Sequence, residues 1–172
     1  MVAQTSIRLA ASADLPELHP VIERAYRGES ARDGWTHEAD LIDGARTSLQ
    51  TLHGIIIDDH SALLVARATD AIVGCVALWN HANGLAHLGQ LCVEPTLQDR
   101  GIGRQLVAAA EAFAVEAFGA DRVEMTVIDS RDTLIAWYGR RGYRPTGERR
   151  DFPVALDPPL HMTVLLKNLR AR

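Results

Sequence analysis

The chain has 172 residues and a mass of 18.8 kDa, the size of one domain, so a single unit over residues 1–172 with a single site is expected. Hydrophobic residues at 47% and charged residues at 23% suffice for a core and exclude a disordered, collagenous or repeat-dominated chain. Eighteen Lys and Arg against 22 Asp and Glu leave a net charge of -4, which argues against a surface built to neutralise nucleic-acid phosphates or anionic lipid.

Met1 to Arg8 lacks the apolar stretch of a secretory signal, and no run approaches the ~20 apolar residues of a membrane span. A cytoplasmic protein with neither membrane nor nucleic acid as partner is expected. Ile7 to Leu9 reads as a short strand. Asp14 and Pro16 suit a helix start, and Leu18, Val21, Ile22 and Ala25 recur at helical spacing, predicting a first helix over 15–27. After an irregular stretch from Gly28 to Gly34, Thr36 is an N-cap candidate with acidic residues following it, so a short second helix is expected there. Residues 63–65 and 72–78 are rich in branched apolar side chains and flank a short turn, which predicts an antiparallel hairpin. A third apolar run, 86–93, is closed by Pro95.

From Arg100 the period changes. Ile102, Leu106, Val107, Ala110, Phe113 and Ala114 share one helical face up to Gly119, the longest helix in the chain. A strand over 123–128 follows, then a helix opening at Thr133 and stopping near Gly142. Two last strands are expected, one at Tyr143 and one over 160–166, around an irregular segment from Pro145 to Pro159. This order is one mixed α/β (α+β) domain. Cys75 and Cys92 lie in apolar runs without Cys-x-x-Cys spacing, so both read as buried free thiols, and no metal site is expected.

The segment that carries chemistry is Leu91 to Leu106. It sets a glycine-containing loop between a strand and the start of the long helix, where unpaired N–H groups and the positive end of the helix dipole can hold a phosphate. A dinucleotide fingerprint needs a small residue three positions after Gly103, where Leu106 stands, and the Gly-Lys-Ser/Thr of a Walker loop is absent.

What the segment resembles is the pyrophosphate loop of the GNAT acetyltransferase superfamily, Gln/Arg-x-x-Gly-x-Gly/Ala after a strand ending in Val-x-Pro. Gln98, Gly101 and Gly103 match it, as do Val93 and Pro95. Downstream, Leu134 to Tyr138 followed by Gly142 and Tyr143 looks like the family's second signature, an aliphatic-aromatic run, Tyr, three residues, then Gly-Phe/Tyr. The resemblance covers residues 62–148 best. One departure is Arg131, which stands where many members carry an Asn seven residues before the Tyr.

The resemblance implies a central mixed, mostly antiparallel sheet of six to seven strands, splayed in the middle and flanked by about four helices, with acetyl-CoA as cosubstrate in the opening. Leu91, Cys92 and Val93 are carried over as backbone partners of the pantetheine arm. Gln98, Asp99, Arg100, Gly101, Ile102, Gly103 and Arg104 are carried over as the pyrophosphate grip, Arg131 as a contact to the arm, and Arg140 and Arg141 as candidates for the 3′-phosphate. The implied reaction is direct attack of an amine on the thioester, with Tyr138 protonating the departing sulfur and a backbone N–H near Val93 polarising the acetyl carbonyl. An alkyl ammonium with a pKa near 10.4 is neutral about one time in 10³ at pH 7, so deprotonation needs help. His87 is the candidate base, with Glu94, Glu124, Asp129, Glu38 and an ordered water as rivals.

Trp35, Glu38, Asp40 and Asp43 combine an aromatic face with carboxylates, a composition suited to a small cationic amine or a peptide amine as acceptor; an acidic first helical turn is the other reading of the same residues. A non-catalytic acyl-CoA sensor would keep the loop but lose the acid, and Tyr138 argues against it. A nucleic-acid module built on Arg140, Arg141, Arg144, Arg149 and Arg150 conflicts with the net acidity. The acceptor's identity, the acyl length and the oligomeric state stay open, a homodimer being the assembly to test for.

Overall fold

The computed structural model describes residues 4–42 and 44–170. Seven strands form one sheet: β1 (Thr5–Leu9), β2 (Ser61–Ala68), β3 (Ala71–Asn80), β4 (Leu85–Val93), β5 (Arg122–Ile128), β6 (Arg144–Asp151) and β7 (His161–Asn168), in the order β1-β2-β3-β4-β5-β7-β6. Only β4 and β5 run parallel; every other neighbouring pair is antiparallel. The helices are α1 (Leu15–Tyr26), the one-turn α2 (Gly28–Ala31), α3 (Leu49–Ile57), α4 (Ile102–Phe118) and α5 (Asp132–Gly139). None of the described helices is long and apolar enough to cross a membrane.

The sheet separates two cores. On one face α1 and α3 bury Leu18, Ile22, Leu52 and Ile55 against Leu63, Val65, Cys75, Ala77 and Cys92. On the other, the apolar stripe of α4, with Leu106, Val107, Ala110 and Ala114, covers Val76, Leu78, Leu88, Val123, Met125 and Leu165. The two thiols are buried and reduced, with Sγ atoms 3.6 Å apart. Asp14 sets the entry to α1 by accepting the Ala11 N–H at 2.7 Å and both guanidinium nitrogens of Arg8 at 2.7 and 2.8 Å.

The splay that matters for function has a local cause. β4 pairs with β5 only through Leu85–His87 opposite Arg122–Glu124. Beyond that point β4 bulges: its register against β3 shifts between Cys75 and Ala77, with Gln90 at φ 53°. A bulge bends and twists the strand that carries it, whereas β5 stays paired with β7 along its whole length. The two central strands therefore part, and β4 from Leu88 to Val93 has no strand partner on that side.

Three expectations are corrected. No helix forms at Thr36; Glu38 closes a single turn, its carbonyl accepting the N–H groups of Leu41 and Ile42 at 2.9 and 3.0 Å. The chain there buries a charged side chain instead of an apolar stripe, and that cannot support a helix packed on the sheet. Second, α3 is an additional helix, capped by Ser48 Oγ accepting the Thr51 N–H at 3.1 Å. Third, the segment expected to be irregular from Pro145 is strand as far as Asp151. β6 is an edge strand exposed almost throughout and lacks alternating hydrophobicity; backbone pairing with β7 creates it.

Candidate active site

A cleft of about 590 Å³ opens where β4 and β5 separate. Its walls are the end of β4, the loop into α4, the first turn of α4 and one side of α5. The residues carried over for acetyl-CoA from the sequence resemblance, Leu91 to Val93, Gln98 to Arg104, Arg131 and Tyr138, all line it, together with Arg140 and Arg141.

The loop into α4 is folded by two left-handed residues, Asp99 at φ 69° and Gly101 at φ 80°. Successive amides in such a turn point into one concavity. The N–H groups of residues 99 to 104 find no acceptor among the described residues, and the first three of α4 are free because a helix start leaves them so. A Cβ on Gly103 would stand 3.5 Å from the Trp137 ring and 3.8 Å from Val93, ordinary contacts; folding does not require glycine here, and its bareness keeps the floor of the cradle open. Around it Arg100, Arg104, Arg140 and Arg141 form no ion pair with a described carboxylate. Burial and the neighbouring Arg140 and Arg104 charges lower the Arg141 guanidinium below its ordinary range. Its plane lies 3.4 Å over the Trp137 ring, and its buried Nε has no acceptor. The chemistry of this end fits the pyrophosphate and 3′-phosphate of a coenzyme A.

At the other end of the cleft stands the open edge of β4. Two side chains occupy its carbonyls: the Tyr26 hydroxyl donates to the Leu91 oxygen, and Gln98 Nε2 donates to the Val93 oxygen at 3.2 Å. Tyr26 continues the Leu18 and Ile22 spacing of α1, and the sequence reading did not single it out. Tyr138 is 5% exposed, packed edge-on against Trp137 and Tyr143. Its hydroxyl bonds to no described residue, and the residue lines the cleft. Burial raises the phenol well above its usual range, against the opposing pull of Arg131 and Arg141.

The segment from Trp35 to Glu38 straps across the opening. Trp35 meets Trp137 with ring centroids 6.2 Å apart, Thr36 N–H reaches Gln98 Oε1 at 3.4 Å, and Arg131 donates to Thr36 Oγ1. Trp35 lines the cleft; Glu38 and Asp40, expected beside it as acceptor ligands, do not. Glu38 is buried, 3.0 Å from Arg27, 3.6 Å from Arg131 and 3.8 Å from Arg46, and the exposed Asp40 pairs with Arg32 at 2.7 Å. Both carboxylates are spent on arginines. Asp43 lies outside the described residues.

His87 is likewise outside the cleft lining. It sits at the closed end of the splay, four residues before Leu91, roughly 13 Å along an extended strand. Its Nδ1 is 3.2 Å from Glu124 Oε1, and its ring lies against Trp79 and His81. Burial lowers the imidazole below its ordinary value, against the opposing pull of Glu124, and so favours its neutral form. The rival carboxylates are also engaged: Glu94 with Arg24, Glu124 with Arg150, and Asp129 with Arg149 and Thr163. Asp99 is the one carboxylate among the described residues lining the cleft.

Residues 20–143, well over half of the chain, match the profile of the Acetyltransferase (GNAT) family. The chain belongs to the GNAT family of acetyltransferases. Solved structures with the GNAT fold superpose over nearly its whole length. The ribosomal-protein-S18-alanine N-acetyltransferase from Escherichia coli does so with a TM-score of 0.75 at 15% identity, covering 98% of this chain and 96% of that one. A GNAT acetyltransferase from Streptococcus pneumoniae gives 0.72 at 17%, covering 97% and 100%. A spermidine N-acetyltransferase chimera from Vibrio cholerae gives 0.74 at 16%, covering 96% of each chain. At these identities the likeness is one of fold. As a GNAT member the chain is an acyltransferase, and the family's cosubstrate is acetyl-CoA.

Proposed function

We propose that this chain transfers the acetyl group of acetyl-CoA to a primary amine by direct attack, within the cleft between β4 and β5. The observation that carries the reading is that one cleft joins an unpaired amide cradle to a protonated phenol across an open strand edge. The amides of residues 99 to 104, with Arg100, Arg104, Arg140 and Arg141 around them, grip the phosphates. The edge at Leu91 to Val93 pairs with the pantetheine arm, whose amides take over the carbonyls now held by Tyr26 and Gln98.

The amine nitrogen attacks the thioester carbon while an edge amide polarises the carbonyl oxygen. The carbon–sulfur bond breaks, and Tyr138 Oη gives its proton to the leaving sulfur. The acceptor ammonium loses one proton to solvent before attack, since no imidazole lines the described cleft, and the second nitrogen proton, released as the amide forms, returns through solvent to restore the Tyr138 phenol. A sensor without catalysis is disfavoured by Tyr138, whose hydroxyl bonds to no described residue.

The test is Gly103→Asp, which puts a side chain and a negative charge into the cradle. Acetyl-CoA affinity by calorimetry is expected to fall at least about tenfold, the effect of a carboxylate set against bound phosphate. The melting temperature should hold, because the added Cβ makes only ordinary contacts. Unchanged affinity would remove the cradle from the binding site.

A further inference from the structure

The strap leans on the open strand edge through a side chain that occupies one of the edge carbonyls. Gln98 ends in a planar amide with a donor on one corner and an acceptor on the other. Its Nε2 donates to the Val93 carbonyl at 3.2 Å, and its Oε1 accepts the Thr36 N–H at 3.4 Å. Gly34 makes room for it: a Cβ there would stand 2.4 Å from Gln98 Oε1 and 2.7 Å from Nε2, closer than packed atoms come. The strap thus has a glycine where the amide lies against its backbone. Thr36 also accepts at Oγ1 from Arg131, which lines the cleft and holds a sequence position carried over as a contact of the arm.

The two ends of the strap are held differently. At one end Glu38 is fixed away from the cleft, its carboxylate 3.0 Å from Arg27 and its N–H donating to the Tyr26 carbonyl at 3.0 Å. At the other, Thr36 is bonded to Gln98 and Arg131, and Trp35 rests against Trp137. All three of those partners line the cleft. The Gln98 bond to Val93 is a stand-in, because a side-chain amide fills an edge carbonyl that an N–H of a paired strand would fill. An N–H of the arm arriving there competes with Nε2. Since Nε2 and Oε1 share one rigid plane, losing the first bond disturbs the second.

Resting on the pairing of the arm with the β4 edge in the reading above, we propose that Gln98 is a positioning residue that couples the cosubstrate to the strap. When the arm takes the Val93 carbonyl, Gln98 gives up Val93 and Thr36 together, and the strap end carrying Trp35 is set by the loaded cleft. Trp35 is thereby placed for the acceptor only once acetyl-CoA is bound. The coupling is reciprocal: whatever the Gln98 bonds contribute to holding the strap in the free enzyme is subtracted from the affinity for the arm.

The test compares coenzyme A with adenosine 3′-phosphate 5′-diphosphate, the same nucleotide without the arm. Hydrogen exchange over residues 34–38, read by mass spectrometry, is expected to speed up with coenzyme A, opposite to the protection a ligand ordinarily brings, and to stay unchanged with the armless nucleotide. Gln98→Ala removes the competitor for Val93. It is expected to raise the affinity for coenzyme A relative to the armless nucleotide by about fivefold, the size of one ordinary hydrogen bond. Strap exchange in that variant should be fast without ligand and indifferent to coenzyme A. Gly34→Ala pushes the same amide away from outside the loop and is expected to shift the affinity ratio the same way, so a folding defect in one variant leaves the other to decide. Strap exchange that slows or holds with coenzyme A overturns the proposal, as does an affinity ratio unmoved or lowered in a folded variant. Catalysis is judged separately: acetyl-CoA binding with no amine turned over overturns the acetyl-transfer reading, while exchange and the affinity ratio still decide the coupling.

Discussion

Burial decides what Tyr138 can do. A phenol enclosed by Trp137 and Tyr143 and raised well above its ordinary range keeps its proton through neutral and alkaline solution, so it is ready as an acid and unsuited as a base. Tyr138→Phe is expected to lower kcat by about 10²-fold, the usual size of a lost acid-base group, while calorimetric acetyl-CoA affinity changes little. In the parent enzyme kcat should show no alkaline limb below about pH 10, the ordinary phenol range; kcat/KM should climb with pH as the acceptor ammonium deprotonates. A descending limb centred near neutrality would take the acid role from Tyr138. The place of this residue and of the cradle in the cleft lining was legible in the sequence because it depends on short spacing and on backbone geometry. Tyr26 and Arg46 were not: Tyr26 reaches a carbonyl 65 residues away, and the partners of Glu38 come from three separate segments. Composition displayed the carboxylates of residues 35–40 but not the arginines that neutralise them.

At the scale of elements, the strap is held by charge where a helix was expected. The turn at Glu38 is held because, among the described residues, its carboxylate is the one within ion-pair distance of all three guanidiniums. Replacing one partner of such a buried group leaves the others unbalanced, which costs about 3 kcal/mol or more. Glu38→Gln is therefore expected to lower the unfolding free energy in urea by about that amount. A residue that merely recognised an ammonium would leave stability unchanged and raise the KM of a cationic acceptor. The elements read correctly from the sequence, such as α1, the β2–β3 hairpin and α4, each carry an apolar period of their own. The strap and β6 do not, since one is fixed by distant ion pairs and the other by the backbone of β7. The carboxyl-terminal half of β4 lies between these cases. Its apolar run announced a strand, but the bulge at Gln90 that frees its edge has no signature in side-chain type.

For the molecule as a whole, the open end of the cleft depends on a closed end, and His87 and Glu124 are paired residues there. Arg150 reaches across from β6 with nitrogens 3.0 and 3.2 Å from the Glu124 oxygens, so the cluster ties β4, β5 and β6 together below the splay. Burial lowers His87 below its ordinary value, the Glu124 bond opposing the shift. The Glu124 carboxyl is also lowered: burial alone would raise it, and the bonds from Arg150 and His87 outweigh that. Both depressions act on stability with the same sign. An unfolded chain protonates its imidazole near pH 6.5 while the native one resists, so the native state loses stability as pH falls through that range. Glu124, and Asp14, which its Arg8 hydrogen bond holds down at about 2, contribute stability that is full above the unfolded carboxyl range and is lost as pH falls toward their native values. Unfolding free energy is therefore expected to decline in two stages on acidification, one between about pH 7 and 5 and one below about pH 4. His87→Gln should abolish the first stage and leave the second. The same variant separates a clamp from a base: loss of a general base would lower kcat/KM by about 10²-fold or more, whereas a clamp remote from the thioester leaves kcat within a few-fold and changes the pH dependence of stability. A collapse of kcat/KM in His87→Gln with an unaltered stability profile would return His87 to the chemistry.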